Sequence, residues 1–177
     1  MKELNINNEK VVIRKTDKSD AKALVEYMNY IGSESDFLSF GAGQFGMSAE
    51  QEEEYIETVL KKNNALSIIA EVNGKVVGNL TFNAGNRQRT EHTGEFGISV
   101  SKAYWGYGIG EEFIKYMINW SKGSGIIRKI NLRTRSDNER AIKLYKKLGF
   151  TEEGIIKRDI CISGKFYDSL LMGMLID

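Results

Sequence analysis

Between Gly94 and Trp120 the chain reads as a strand, a glycine-rich joint and a helix: "GEFGISV", then "SKAYWGYGIG", then "EEFIKYMINW". Gly106, Gly108 and Gly110 fall at alternate positions in the joint. Glycine favours neither helix nor strand interiors. Its concentration where two good elements meet marks either a sterically tight turn or a backbone that something must approach closely. The helix that follows places Phe113, Ile114, Met117 and Trp120 on one face. After it comes "KINLRT", a short strand. A strand, a helix and a strand in succession predict a parallel pair joined by a crossover.

The rest of the chain predicts antiparallel pairing. "ALSIIAEV" and "KVVGNLTFN" flank Asn73-Gly74, a strong hairpin signal. "TEEGIIKRDICIS" and "KFYDSLLMGMLI" meet at Ser163-Gly164. "VVIRK" (11–15) is a short β-branched strand. A helix follows, with Ser19 as its expected N-cap and Ala23, Leu24, Tyr27, Met28 and Ile31 at helical spacing. Ser48 and Gln51 form a capping box at the head of a second helix, "EQEEEYIETVLKK". "NERAIKLYKKLG" is a helix ended by Gly149. The order β-α-α-β-β-β-α-β-α-β-β predicts one α/β domain over 11–176, with a mixed, mostly antiparallel sheet, a parallel strand pair and flanking helices.

Composition excludes several classes. The 177 residues suffice for one domain with a real core. Twenty-five basic residues against 24 acidic give a net charge of +1, so no nucleic-acid partner is expected. No apolar run is long enough for a membrane span, and "MKELNINNEKVVIRK" lacks the apolar core of a signal peptide. A single cysteine, Cys161, rules out an internal disulfide framework and suggests a reducing, cytoplasmic setting. One histidine and one cysteine make a metal site unexpected.

A glycine-rich strand-to-helix turn presents unpaired N–H groups at a helix N-terminus, where they and the helix dipole attract phosphate. The P-loop pattern is absent, and the spacing here, G-x-G-x-G, is not the dinucleotide fingerprint. "WGYGIG" resembles the pyrophosphate-binding loop of the GCN5-related N-acetyltransferases, [Q/R]-x-x-G-x-[G/A]. Gly108 and Gly110 fall on its glycine positions, Trp105 where Gln or Arg is usual, and Tyr107 where a basic residue is common. "NERAIKLYKKLGFTEEG" (138–154) is similar to that family's N-x-x-A-x-x-L-Y-x-x-x-G-F-x-x-x-G signature at every marked position. "ISGKFYDSLLMGM" resembles the terminal hairpin of the branch that includes ribosomal-protein-alanine and amino-acid N-acetyltransferases.

The resemblance implies acetyl-CoA as cosubstrate, no metal, and acetyl transfer to a primary amine by direct attack within a ternary complex. It implies that Trp105, Gly106, Tyr107, Gly108, Ile109 and Gly110 form the pyrophosphate loop. The strand before the loop would splay from "KINLRT", so that the backbone of Ile98, Ser99 and Val100 pairs with the pantetheine amides. Asn138 would lie against the pantetheine arm and Tyr145 near the sulfur. An attacking amine must lose a proton, and a leaving thiolate, with a pKa of about 8.5 by analogy with cysteine, gains from a proton donor. Tyr145 is the implied acid. Glu95, at the start of the splaying strand, is implied as a base acting through water or as a clamp for the substrate ammonium.

Read without the family, the spacing alone makes Tyr145 a core aromatic with a satisfied hydroxyl, and Glu95 a solvated strand-end carboxylate or an ammonium clamp. His92 reads as a polar loop residue and Cys161 as strand packing. Tyr167 and Asp168, on the last strand, are expected to reach the acceptor cleft, and Phe37, Phe40 and Phe45 lie in the early loop expected to wall it or to join the core. The acceptor would be a protein N-terminus, an amino acid or a small amine, and a homodimer is compatible with all of this. A non-catalytic acyl-CoA-binding module of the same fold is the alternative.

Overall fold

The computed structural model describes residues 1–6 and 9–177. Its centre is one eight-stranded sheet in the order β1-β2-β3-β4-β5-β6-β8-β7. The strands are β1 (Lys2–Ile6), β2 (Glu9–Lys15), β3 (Ala65–Val72), β4 (Lys75–Ala84), β5 (Thr93–Val100), β6 (Lys129–Arg135), β7 (Thr151–Ile162) and β8 (Lys165–Leu175). Every neighbouring pair is antiparallel except β5 and β6. The helices are α1 (Ala21–Ile31), α2 (Ala49–Leu60), α3 (Ile109–Gly123) and α4 (Glu139–Lys147).

The expected elements are present, and β1 is an addition. It pairs with β2 from Lys2↔Ile13 to Ile6↔Glu9, and only Ile6 of its five residues is buried. At the other end of the sheet β7 is the edge, and most of its residues are at least partly exposed.

The sheet separates two apolar layers. Leu66, Ile68, Leu80, Phe82 and Phe96 pack with Phe113, Ile114 and Met117 of α3 and Tyr145 of α4. On the opposite face, Ile69 packs with Ala21 and Leu24 of α1 and Ile56 of α2. β3 is therefore covered on both sides, which is why it reads as an almost unbroken apolar run.

Local chemistry sets the turns. Asn73 (φ 49°) and Gly74 (φ 78°) both take the left-handed conformation, as do Ser163 (φ 49°) and Gly164 (φ 80°). Two successive positive φ values are what a tight hairpin turn requires. The capping box of α2 is formed: Gln51 N–H donates to Ser48 Oγ (3.2 Å) and Ser48 N–H to Gln51 Oε1 (2.9 Å). Before α1 the expected cap is displaced. Asp17, not Ser19, caps a short 3-10 turn, accepting from Ser19 N–H at 3.0 Å, and Asp20 leads into the helix. Ser19 instead donates its own hydroxyl to Asp17 Oδ1 at 2.8 Å, so it is held by the turn rather than capping the helix.

Candidate active site

The β5–β6 ladder is short. It runs Thr93↔Lys129, Gly94↔Ile130, Glu95↔Asn131 and stops, while β5 continues to Val100 and β6 to Arg135. The parallel strands thus part in the middle of the sheet. A cavity of about 940 Å³ runs through the opening. Its wall includes the glycine loop, the free half of β5, the start and inner face of α4, and the diverging half of β6.

Backbone direction decides what β5 can offer there. Gly85 N–H donates to Thr93 O (3.2 Å) and Ser101 N–H to Val77 O (2.9 Å). Direction alternates along a strand, so odd-numbered residues of β5 bond β4 and even-numbered ones face β6. Ile98 therefore turns both of its backbone groups into the opening, and Val100 its N–H. Val100 O already accepts the Trp105 indole N–H at 2.6 Å. Ser99 departs from the expectation: its backbone pairs with Asn79 of β4, and it reaches the cavity through its side chain, which shares a 3.0 Å hydrogen bond with Tyr27 Oη.

The glycine joint forms a 3-10 turn (Lys102–Tyr104), a bend, and then α3 with Gly108 as N-cap. Gly106 (φ 89°) and Gly108 (φ 84°) lie in the left-handed region, and a Cβ on either would meet nothing within 4 Å. The glycines thus serve conformation, and they leave open space above the helix end. No side chain caps α3, so its first N–H groups remain available. Glu111 and Glu112 stand in this first turn, yet each is paired. Lys115 and Lys147 hold the Glu111 carboxyl down at about 2, and Glu112 bonds Lys2. The loop residues Trp105, Gly106, Gly108, Ile109 and Gly110 line the cavity; Tyr107, 43% exposed, stands outside its wall.

Asn138 caps α4. Its Oδ1 accepts from Ala141 N–H (3.3 Å), its Nδ2 approaches Thr134 Oγ1 (3.4 Å), and it lines the cavity. Two turns later Tyr145 is buried at 6% exposure, with edge contacts to Phe96 (6.0 Å) and Phe150 (6.1 Å). Burial pushes its phenol up to about 12. The core-aromatic role and a place on the cavity wall are therefore both present. Glu95 is exposed and lines the cavity from the other sheet face, since Phe96, its neighbour, is the residue that meets Tyr145.

Arg140 and Arg135 were not visible in the sequence as contributors, whereas Phe37 and Phe40 line the cavity from the early loop expected to wall it. Arg140, in the first turn of α4, lines the cavity and lies over the Trp105 ring at 5.1 Å, giving the loop a cation that its own residues lack. The α1–α2 segment crosses the mouth of the opening. Glu34 Oε2 accepts from Lys102 N–H beyond β5 (2.8 Å), and Asp36 O accepts from Arg135 Nη1 at the end of β6 (3.0 Å). Arg135 also stacks on Tyr167 (3.7 Å) and Phe37 (4.8 Å) and bonds Asp137. Leu38, Ser39 and Phe40 of the same segment line the cavity, and Phe40 contacts Phe45 at 5.9 Å. Cys161 is exposed at the cavity wall, which corrects its reading as a packing residue. Alternation along an edge strand points it away from the core. Asp168 bonds Lys157 and the Arg158 N–H, and does not line the cavity.

The model of the acetyltransferase (GNAT) family matches residues 34–150. The chain belongs to this family. Among its relatives is the L-amino acid N-acetyltransferase AaaT of Escherichia coli, 34% identical over 109 residues, or 59% of this chain and 65% of AaaT. The chain thus aligns with just under two thirds of that relative's length. A GNAT-family acetyltransferase from Streptococcus pneumoniae superposes with a TM-score of 0.90 at 33% identity, covering 94% of this chain and 99% of that one. The yncA protein of Salmonella typhimurium, solved with its cofactor acetyl-CoA, shares the fold at a TM-score of 0.81 and 21% identity over 94% of each chain.

Proposed function

We propose that this GNAT protein is an N-acetyltransferase that moves the acetyl group of acetyl-CoA directly onto a primary amine. The observation that carries the reading is the end of the β5–β6 ladder at Glu95↔Asn131, which opens one cavity between Tyr145 on one sheet face and Glu95 on the other. The residues present suit the cosubstrate. The uncapped N-terminus of α3 and Arg140 suit a pyrophosphate, and the outward backbone of Ile98 and Val100 suits an amide-bearing arm. Acetyl-CoA supplies an activated acyl thioester.

The chain's own groups then divide the work. Glu95 draws the acceptor ammonium to the opening and takes its proton, through water where the reach is long. Tyr145, held protonated by burial, lines the cavity and offers a hydrogen-bond donor to the departing sulfur. Its pKa of about 12 lies above that of a free thiol, about 8.5. The phenol therefore stabilises the departing thiolate by donation rather than by complete transfer. No residue needs to carry the acyl group.

The test is thiol release from acetyl-CoA with a panel of primary amines, together with the intact mass of the protein after exposure to acetyl-CoA alone. Amine-dependent thiol release with an unmodified protein is expected. Tight CoA binding without release for any amine would make the chain an acyl-CoA-binding module. An acetylated Cys161, exposed on the cavity wall, would replace direct attack with a covalent route.

A further inference from the structure

Beyond the ladder's end, β6 carries two arginines on the Glu95 side of the sheet. Asn131 pairs with Glu95, so Asn131, Arg133 and Arg135 share its face. Arg135 is fully engaged by Asp137, Asp36 and Tyr167 and is only 7% exposed at its side chain. Arg133 is different. Its side chain is 48% exposed, it lines the cavity, and among the described residues its one ionic contact is to Asp159 at 3.6 Å, too long for a hydrogen bond. A guanidinium has five N–H donors in a planar fork matched to a carboxylate. The fork of Arg133 is open.

A second observation lies on the neighbouring strand. Ser169 of β8 is the register partner of Arg135, so it is the diagonal neighbour of Arg133 on the same face. It lines the cavity, is fully buried, and its hydroxyl has no hydrogen-bond partner among the described residues. Buried hydroxyls in native proteins are almost always paired. An acceptor oxygen arriving beside Arg133 would supply the missing partner.

We infer that the acceptor is a small amino acid with a free carboxylate, received by Arg133 with the Ser169 hydroxyl beside it, while its amine turns to Glu95. This rests on the reading of the cavity as an N-acetyltransferase site. The spacing suits such a compact zwitterion, because Arg133 lies two residues, roughly 7 Å, along β6 from the partner of Glu95. A polyamine would bring only positive charge to Arg133. A peptide N-terminus would bring a neutral amide where the carboxylate belongs.

The experiment compares three forms of each acceptor with the wild-type protein: the free amino acid, its carboxamide and the decarboxylated amine. The free acid should be preferred by about 10–100-fold in kcat/KM, the range for one charge-assisted, bidentate contact. Arg133→Gln should collapse the acid-to-amide ratio towards one, chiefly through KM for the acid. Ser169→Ala should lower the same ratio by a smaller factor. Equal use of acid and amide by the wild type, or an equal loss on all three forms in Arg133→Gln, would overturn the assignment. Product from the amine or amide but not the acid would also overturn it while leaving acetyl transfer intact. No product from any amine would instead sink the acetyltransferase reading, and this one with it. Thermal melting of Arg133→Gln should match the wild type, since the side chain is half in solvent.

Discussion

Glu95 and Asn131 form the last register pair between β5 and β6, on the sheet face opposite the one where Phe96 meets Tyr145. One residue of the β5 strand thus marks the end of the ladder and points to the acceptor side, and the next supports the candidate acid. Alternation along a strand is enough to place the two catalytic candidates on either side of the opening.

Glu95→Gln keeps the shape and removes the charge. Because Glu95 is exposed, folding should be unaffected. If it takes the amine proton, kcat/KM should fall about 10²–10⁴-fold near neutral pH. The loss should shrink as pH rises towards the acceptor pKa, where free amine becomes abundant. The check is a pH–rate profile of both proteins on one good acceptor. A raised KM with kcat retained at every pH would make Glu95 a clamp and remove it as a base.

Tyr145→Phe deletes one hydroxyl and leaves the contacts with Phe96 and Phe150 in place. Folding and CoA binding should survive, and kcat should fall by about 10²-fold or more. Burial raises the folded-state pKa to about 12, so the phenol is neutral at all ordinary pH values and loses its proton only as pH rises through that point. The ratio of wild-type to variant kcat should therefore stay flat from about pH 6 to 10. A ratio that declines near pH 8 or 9 would mean that another group is the donor.

How legible these features were depended on how local their causes are. The hairpins at Asn73-Gly74 and Ser163-Gly164 and the Ser48–Gln51 box are set by residues in immediate succession, so the sequence reveals them. The glycine joint is legible for the same reason: Gly106 and Gly108 hold positive φ values that few other residues accept. β1 was not, because Leu4 and Ile6 alone carry its apolar alternation and β2 supplies its pairing. The direction of the Ser99 backbone depends on the register with β4, which no motif specifies. Arg135 meets Asp36 across 99 positions of sequence, and Arg133 differs from it only in the partners that the fold provides. Such roles belong to tertiary placement rather than to a pattern.

The glycine joint can be tested without confusing strain with ligand loss. Gly108→Val would force a β-branched residue into φ 84° and destabilise the turn for that reason alone. Gly108→Asn is better, because asparagine tolerates the left-handed region and is a favoured N-cap. Stability should change by no more than about 1 kcal/mol. Its side chain would enter the open space above the first turn of α3. CoA affinity should then drop at least tenfold, about 1.4 kcal/mol, as read by calorimetry. Unchanged CoA binding would reduce the glycines to a turn.

Arg135 tests whether the α1–α2 segment must be tied across the opening. Its guanidinium joins β6 to Asp36 and Phe37, while Glu34 ties the same segment to Lys102 beyond β5. Arg135→Ala removes the stack on Tyr167, the contact with Phe37 and the hydrogen bond to Asp36. Asp137, half exposed, can turn to water, so no charge is left buried. The cost should be about 1–3 kcal/mol, seen as a lower Tm. Leu38, Ser39 and Phe40 wall the cavity from the released segment, whereas the bond from Lys102 N–H to Glu34, which ties the segment to the start of the glycine joint, does not involve Arg135. The acceptor KM should therefore rise about tenfold while CoA affinity stays within twofold. Arg135→Lys should restore little, because an ammonium cannot reproduce the fork to Asp137 and the planar stack on Tyr167 together. Equal losses in acceptor and CoA binding would show that Arg135 supports the sheet as a whole rather than the strap across it.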